Sequence, residues 1–84
     1  MRRNKQPTVH RISNSVLAVR RGGGYVVVTW DARAAQYRVP AGYAGTYLTR
    51  LRADAIEYAA CFGSIRRRED DGRPARLRDI KANV

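Results

Sequence analysis

Alternating apolar and polar positions dominate the first half of the chain. Two runs rich in β-branched residues, SVLAVRR and YVVVTWD, flank three glycines at 22–24. Such runs around a glycine cluster predict a β-hairpin. A two-residue turn at Gly22 and Gly23 sets Val19 opposite Val26 and gathers the apolar residues on one face, whereas a three-residue turn would scatter them. We therefore predict the two-residue turn, which requires positive φ.

The same glycines do not match a phosphate-binding loop. Such a loop leads from a strand into a helix and is followed by Lys and Ser or Thr. Here the glycines connect strand to strand, and no Gly-Lys pair follows. A second interpretation stays open, in which the turn approaches a DNA backbone with Arg20 and Arg21 beside it.

A second hairpin follows at DARAAQ. Centring its turn between Arg33 and Ala34 sets Trp30 opposite Tyr37, and the faces of the two hairpins then agree. The pattern predicts a three-stranded antiparallel sheet whose other face carries polar side chains. The residues of the apolar face are Leu17, Val19, Val26, Val28, Trp30, Tyr37 and Val39.

A helix is predicted after the third strand, within TYLTRLRADAIEYAACFG. Thr46 would cap its start and Gly63 its end, which gives about sixteen residues. This helix would cover the apolar face of the sheet and leave the other face exposed. The fold class is thus α+β, with a three-stranded antiparallel sheet on one α-helix (βββα). The apolar residues at helical spacing are Leu48, Leu51, Ala55, Ala59 and Phe62.

Three segments organise the chain. Residues 1–13 are polar and basic and predict a flexible arm. Residues 14–63 hold the βββα domain, and residues 64–84 form a charged C-terminal extension. Within the extension, Pro74 and the apolar residues after it predict a short helix that docks on the core or on a second subunit of a homodimer. Those apolar residues are Leu77, Ile80 and Val84.

Charge is the strongest compositional signal. A chain of 84 residues forms one small domain, and it carries a net charge of +10. The excess is +6 over residues 1–24, +1 over 25–63 and +3 over 64–84. Basic segments therefore flank a nearly neutral centre, which indicates a polyanionic partner.

Candidate catalytic and metal-ligating residues are sparse. Cys61 is the single cysteine and His10 the single histidine, while Glu69, Asp70 and Asp71 are consecutive and do not converge as an acid and a base. We predict no enzyme, no cofactor and no metal. The sequence has no run long enough for a membrane span and no disulfide, which predicts a cytoplasmic or nucleoid-associated protein.

The polar face of the predicted sheet supplies the candidate site. Guanidinium forks, a hydroxyl, an amide and an aromatic tip are suited to base edges and phosphates, and a β-ribbon can enter the major groove. Basic residues of the arm would reach a minor groove, and those of the extension would contact phosphates. The chain is thus predicted to bind double-stranded DNA. The residues are Arg20, Tyr25, Thr29, Gln36 and Arg38 on the sheet, Arg21 at the turn, Arg2, Arg3 and Lys5 in the arm, and Arg66, Arg67 and Arg68 in the extension.

The segment VTWDARAAQYRV, followed by ADAIEYAACF, resembles two kinds of three-stranded DNA-binding domain. These are the domain of plant ethylene-response factors and the arm-binding domain of phage tyrosine integrases. The resemblance covers residues 25–62 and implies that the sheet lies in the major groove, with Arg33, Arg38 and Trp30 contacting DNA. It would place the third strand in GTYLT.

Three functions remain open at this point. The first is a DNA-binding regulator or accessory factor of a phage, plasmid or mobile element. The second is a protein-interaction module or small inhibitor, which docks on an acidic partner through the same face or pairs through an edge strand. The third is an RNA-binding protein, in which Tyr25 stacks on an unpaired base.

Overall fold

The computed structural model describes residues 6–83. It contains one five-stranded antiparallel sheet in which every strand pairs with the next along the chain. The α+β class, with a helix packed on an antiparallel sheet, is confirmed, but the prediction of three strands is wrong. The elements are β1 (Val9–Ser13), β2 (Val16–Arg21), β3 (Gly24–Asp31), β4 (Gln36–Pro40), β5 (Thr46–Thr49), α1 (Arg52–Phe62) and α2 (Leu77–Ala82), with a 3-10 turn at Gly42–Ala44.

The predicted registers of both hairpins are confirmed. Val19 lies opposite Val26, and Arg21 lies opposite Gly24, so Gly22 and Gly23 form the two-residue turn. Gly22 has a φ of 56°, which a residue with a Cβ rarely adopts. In the second hairpin Thr29 pairs with Arg38, Trp30 with Tyr37 and Asp31 with Gln36.

The main core lies between α1 and one side of the sheet, which we call the α1 face. Three residues of α1 are buried against it, Ala55, Ile56 and Ala59. The two alanines let the helix approach the sheet closely. Trp30 and Tyr37, which were predicted on this face, are half-buried at its end, 4.7 Å apart between ring centroids. The buried strand residues of this core are Leu17, Val19, Val26, Val28 and Val39.

Two strands fall where other structure was predicted. Residues 9–13, assigned to the flexible arm, form β1, because Val9 packs on the main core while Ile12 packs on the opposite side. A strand that uses both faces lacks simple alternation. Residues 46–49, assigned to the helix, form β5, since two threonines and a tyrosine suit a strand and β4 offers an open edge. β5 lies in the GTYLT segment that the resemblance favoured for a strand.

The helix is shorter than predicted. α1 has 11 residues, begins after Leu51 rather than at Thr46, and has no side-chain cap at its start. It ends at Gly63 as predicted. Leu51 and Phe62 are exposed, whereas Ala55 and Ala59 of the same predicted spacing are buried, so the spacing marks the buried side only in the middle of the helix.

The extension covers part of the sheet face opposite α1, which we call the α2 face. The prediction that this face is exposed is therefore wrong at its centre, where Ala18 and Val27 are buried with Ala75 and Ile80. The predicted short helix is confirmed as α2. Its apolar residues dock on the sheet of the same chain, and Val84 lies outside the described residues.

The chain crosses from one face to the other just after α1. The Ser64 N–H donates to the Pro40 carbonyl at 2.8 Å, and the Arg66 N–H donates to the Tyr25 carbonyl at 2.7 Å. The first bond uses the last residue of β4, and the second uses the part of β3 that extends past it. A Cβ on Gly63 would lie 2.6 Å from a methyl group of Val26, so this crossing requires glycine. Over residues 6–83 no helix has the length and apolarity needed to cross a membrane.

Candidate nucleic-acid interface

Arg20 and Tyr25 form one end of the α2 face. They are direct partners across the first hairpin. The Arg20 guanidinium lies 5.5 Å from the centroid of the Tyr25 ring, and it donates to the Gly22 carbonyl at 3.1 Å. The Tyr25 ring also meets His10 edge to face, with 5.7 Å between centroids. Arg20 is exposed, whereas Tyr25 is half-buried and has less free surface for stacking than the sequence suggested.

Arg38 lies toward the other end of the α2 face and is engaged by an acid. Its guanidinium is 3.1 Å from a carboxylate oxygen of Asp31, and 49% of its side chain is exposed. Backbone N–H donation from Ala34 and the Arg38 guanidinium lower the pKa of Asp31 below its ordinary value. The Arg38 side chain is exposed enough to contact a phosphate, but the Asp31 carboxylate competes with a phosphate for this guanidinium.

Thr29 and Gln36 are half-buried beside Arg38. Thr29 lies directly opposite Arg38, and Gln36 lies opposite Asp31. The structure therefore brings together three of the predicted sheet residues around one acid. Val27 and the extension separate this group from Arg20 and Tyr25.

Arg21 has a structural partner on the α1 face. Its guanidinium donates to the Gly63 carbonyl at the end of α1. A cation at a helix C-terminus is favourable, since the last carbonyls carry partial negative charge. The prediction that Arg21 contacts DNA remains untested, and its position is on the opposite side from Arg20.

The predicted DNA-contacting residues of the extension differ in their exposure and in whether an acidic side chain pairs with them. Arg66 and Arg67 are exposed, and the Arg67 guanidinium donates to the Gly72 carbonyl at 3.1 Å. Arg68 is half-buried and bridges two acids, at 3.2 Å from Asp70 and 3.6 Å from Asp71. The RRREDD run thus neutralises itself mainly through Arg68.

Four basic side chains of the extension were missed by the sequence reasoning. They surround the residues that dock α2 on the sheet, and all four are exposed. The signal was available, because Leu77 and Ile80 are three residues apart and fix which side of α2 faces the sheet. The four are Arg73, Arg76, Arg78 and Lys81.

The segments that cover the two faces of the sheet, α1 on one face and residues 64–83 on the other, differ in charge. Residues 64–83 hold seven basic and four acidic side chains, whereas α1 holds one arginine and two acids. Among the acids of the extension, Asp70 and Asp71 pair with Arg68, and Asp79 accepts the Arg76 backbone N–H at 2.9 Å. The α2 side therefore presents the excess of uncommitted positive charge.

The remaining predicted residues lie at the margins. Arg33 is exposed in the β3–β4 turn, where its backbone N–H donates to Asp31 at 3.1 Å. Trp30 alternates with Thr29 and Asp31, which places it on the α1 face rather than beside Arg38. Arg2, Arg3 and Lys5 lie outside the described residues.

Exposed basic side chains on the folded domain are the main chemical feature of residues 6–83. Between residues 6 and 83, no three His, Cys, Asp or Glu side chains come close enough to hold a metal ion. What the arrangement offers is exposed guanidinium groups, which bind phosphate oxygens through paired donors. Comparison with protein families, with curated proteins and with solved structures found no match.

Proposed function

We propose that this protein binds double-stranded DNA through its α2 face. The observation that supports the proposal most directly is the layer of exposed basic side chains that the extension adds to that face. The face is flanked by Arg20 and Arg38 on the sheet itself. A polyanion approaching from the α1 side would instead meet Asp54 and Glu57.

The proposed contact is mainly with phosphates. Because Ala75 and α2 cover the centre of the sheet, the bare β-ribbon is not free to enter a groove along its whole length. Guanidinium groups on α2 and on the Arg66–Arg73 hairpin would contact the backbone on either side of a groove. Such binding depends strongly on salt and weakly on base sequence.

A salt series with labelled duplex DNA tests this proposal. Neutralising about six phosphates gives a slope near −5 for log affinity against log salt concentration. A slope near zero would contradict it. Duplex RNA and single strands, titrated at one fixed salt concentration, distinguish DNA binding from RNA binding, for which the strongest binding would go to RNA or to an unpaired strand.

Matched double variants test which face is used. Replacing Arg73 and Arg78 with Ala removes two exposed charges from the α2 side, and should weaken duplex binding about tenfold and flatten the slope by about 2. Replacing Arg11 and Arg52 with Ala removes the same charge from the α1 side, since Arg11 lies opposite Leu17 of the α1 face and Arg52 is the first residue of α1. If both double variants lose duplex affinity equally, net charge alone explains the binding, and the proposal that DNA contacts the α2 face is wrong.

The two sheet arginines need a separate variant. Replacing Arg20 and Arg38 together with Ala leaves the buried residues of both faces intact, so the fold should persist by circular dichroism. We expect a further loss of duplex affinity of about tenfold. Undiminished binding by the folded variant would remove the sheet residues from the proposed contact.

A further inference from the structure

The two edges of the sheet are built differently. β1 carries His10 and Arg11, and its register shifts between Arg11 and Ser13. Charge and irregularity are the usual means by which a protein protects an edge strand from pairing. β5 has the sequence TYLT, with no charge, no proline and an unbroken register against β4. β5 is therefore an unprotected edge.

The backbone of β5 has free groups that point outward. The Ala41 N–H donates to the Gly45 carbonyl at 2.9 Å. Because inward and outward groups alternate along an antiparallel strand, Tyr47 and Thr49 bond to β4. The N–H and C=O groups of Thr46 and Leu48 then point away from the sheet, and no backbone hydrogen bond within residues 6–83 uses them.

Exposed apolar side chains surround this edge. Four large apolar residues are exposed in the described part of the chain, and each lies in or next to β5 or touches it through a neighbour. Phe62 reaches β5 through Tyr58, whose ring is 5.3 Å away and stacks on Tyr47 at 3.8 Å. The four residues and their exposed fractions are Tyr43 at 113%, Leu51 at 67%, Phe62 at 65% and Leu48 at 45%.

We propose that β5 pairs with β5 of a second copy of this chain, which joins two sheets into one across a two-fold axis. The outward groups of Leu48 set the register, since Leu48 then bonds to its own copy. Thr46 faces Arg50, and Tyr47 faces Thr49. No charged side chain lies opposite a like charge in this arrangement.

Charge favours a second copy over other occupants. Residues 42–49 are uncharged, so this edge selects neither a nucleic acid nor an acidic protein. It is also the place where two strongly basic chains can meet with little repulsion. Tyr43 and Phe62 together expose on the order of 300 Å², less than the roughly 800 Å² per partner of a standard interface. The dimer is therefore weak, and its strand hydrogen bonds are needed to hold it.

Amide hydrogen exchange tests the register directly. The Arg20 N–H donates to the Thr8 carbonyl at 2.9 Å, so by the same alternation Val9 and Arg11 have the outward amides of β1. We expect the Thr46 and Leu48 amides to gain protection as protein concentration rises, while those of Val9 and Arg11 stay unprotected. Protection at β1, or none at β5 at any concentration, would overturn the proposal.

A charge variant tests the same interface by sedimentation. Leu48→Glu places a carboxylate opposite Arg38 in the monomer but opposite its own copy in the dimer, so the fold should hold while the association constant falls by at least about tenfold. Thr8→Glu changes the net charge equally at the other edge and serves as the control. Equal association of the two variants would contradict the pairing.

Salt separates this dimer from DNA binding. Added salt screens repulsion between two basic copies and should strengthen their association, whereas it weakens phosphate contacts. Loss of the dimer with intact DNA binding would leave the proposed function standing. Self-association that weakens as salt rises would contradict this register, which pairs no opposite charges across the two copies.

Discussion

The α1 face and the α2 face of the same sheet are closed by different means. On the α1 face an 11-residue helix completes a cluster of eight buried residues. On the α2 face a six-residue helix and a hairpin complete a cluster of four. The first cover has a net charge of −1 and the second of +3. One face thus contributes most of the apolar burial, and the other presents most of the charge.

This difference separates stability from the proposed binding. A six-residue helix is too short to hold its own conformation in water, so α2 depends on its docking. We therefore expect the α2 cover to open without loss of the main core, as the weaker parts of a protein do. The same substitution on the two faces should then have different consequences.

The largest expected effect comes from truncating one isoleucine on each face. Ile56→Ala should lower the free energy of unfolding by about 3 kcal/mol, and Ile80→Ala by about 2 kcal/mol, because the smaller cover collapses around the missing side chain. Urea denaturation measures both. In amide exchange, Ile80→Ala should expose residues 75–82 first. Equal losses with uniform exchange would show that the two covers unfold as one unit.

The next largest effect on stability is expected at Gly63, where the chain crosses from the α1 face to the α2 face. Gly63→Ala should cost about 1–3 kcal/mol, since the new Cβ meets Val26 and the Ala59 carbonyl, the latter at 2.9 Å. The added Val26→Ala change removes one of these clashes, so the double variant should lose less than the sum of the single ones. Gly23→Ala has open space around it and is the control. Strict additivity would contradict the clash.

Removing one acidic charge from the α2 face should have a smaller effect, which is on DNA affinity. Asp31→Asn keeps the oxygen that accepts the turn N–H groups but frees Arg38, so duplex affinity should rise a few-fold and the salt slope should steepen by about 1. Glu57→Gln changes the net charge equally on α1. Identical gains from both variants would indicate a response to net charge only.

The smallest effect concerns a hydrogen bond on the α1 side. The Tyr47 hydroxyl donates to Asp54 at 2.6 Å, which lowers the pKa of Asp54 and raises that of Tyr47. The stabilisation is therefore present between about pH 4 and pH 10 and is lost as the pH leaves this window on either side. Tyr47→Phe should be less stable than the wild type only inside the window.

Urea denaturation at several pH values measures that difference. Tyr43→Phe, at a fully exposed ring, should show a flat difference across the same range. A Tyr47→Phe difference that persists unchanged in acid would show that the hydrogen bond to Asp54 does not stabilise the fold.

The central hairpins were predictable from the sequence because one face alternates cleanly. Val19, Val26 and Val28 admit one register, and Gly22 fits the turn that this register needs. The edge strands were not predictable in the same way. β1 contributes one apolar residue to each face, so its sequence does not alternate. β5 contains Leu48, which together with Leu51 has the spacing of a helix, but pairing with β4 makes this segment a strand.

The candidate site was predictable only in part. The sidedness of Arg20 and Arg38 followed from alternation, and both are exposed on the face opposite α1. The ion pair with Asp31 depends on a diagonal across two strands, and the coverage of Val27 depends on a segment far along the chain. Neither leaves a local pattern in the sequence.

The order of the segments along the chain has a consequence for synthesis. Residues 75–80 cover Ala18 and Val27, yet they are synthesised after every strand of the sheet and after α1. Domains fold as their segments emerge, and a half-covered sheet exposes apolar surface. Until residues 75–80 dock, Ala18 and Val27 lie bare, and a chaperone or a neighbouring chain can compete with α2 for this surface.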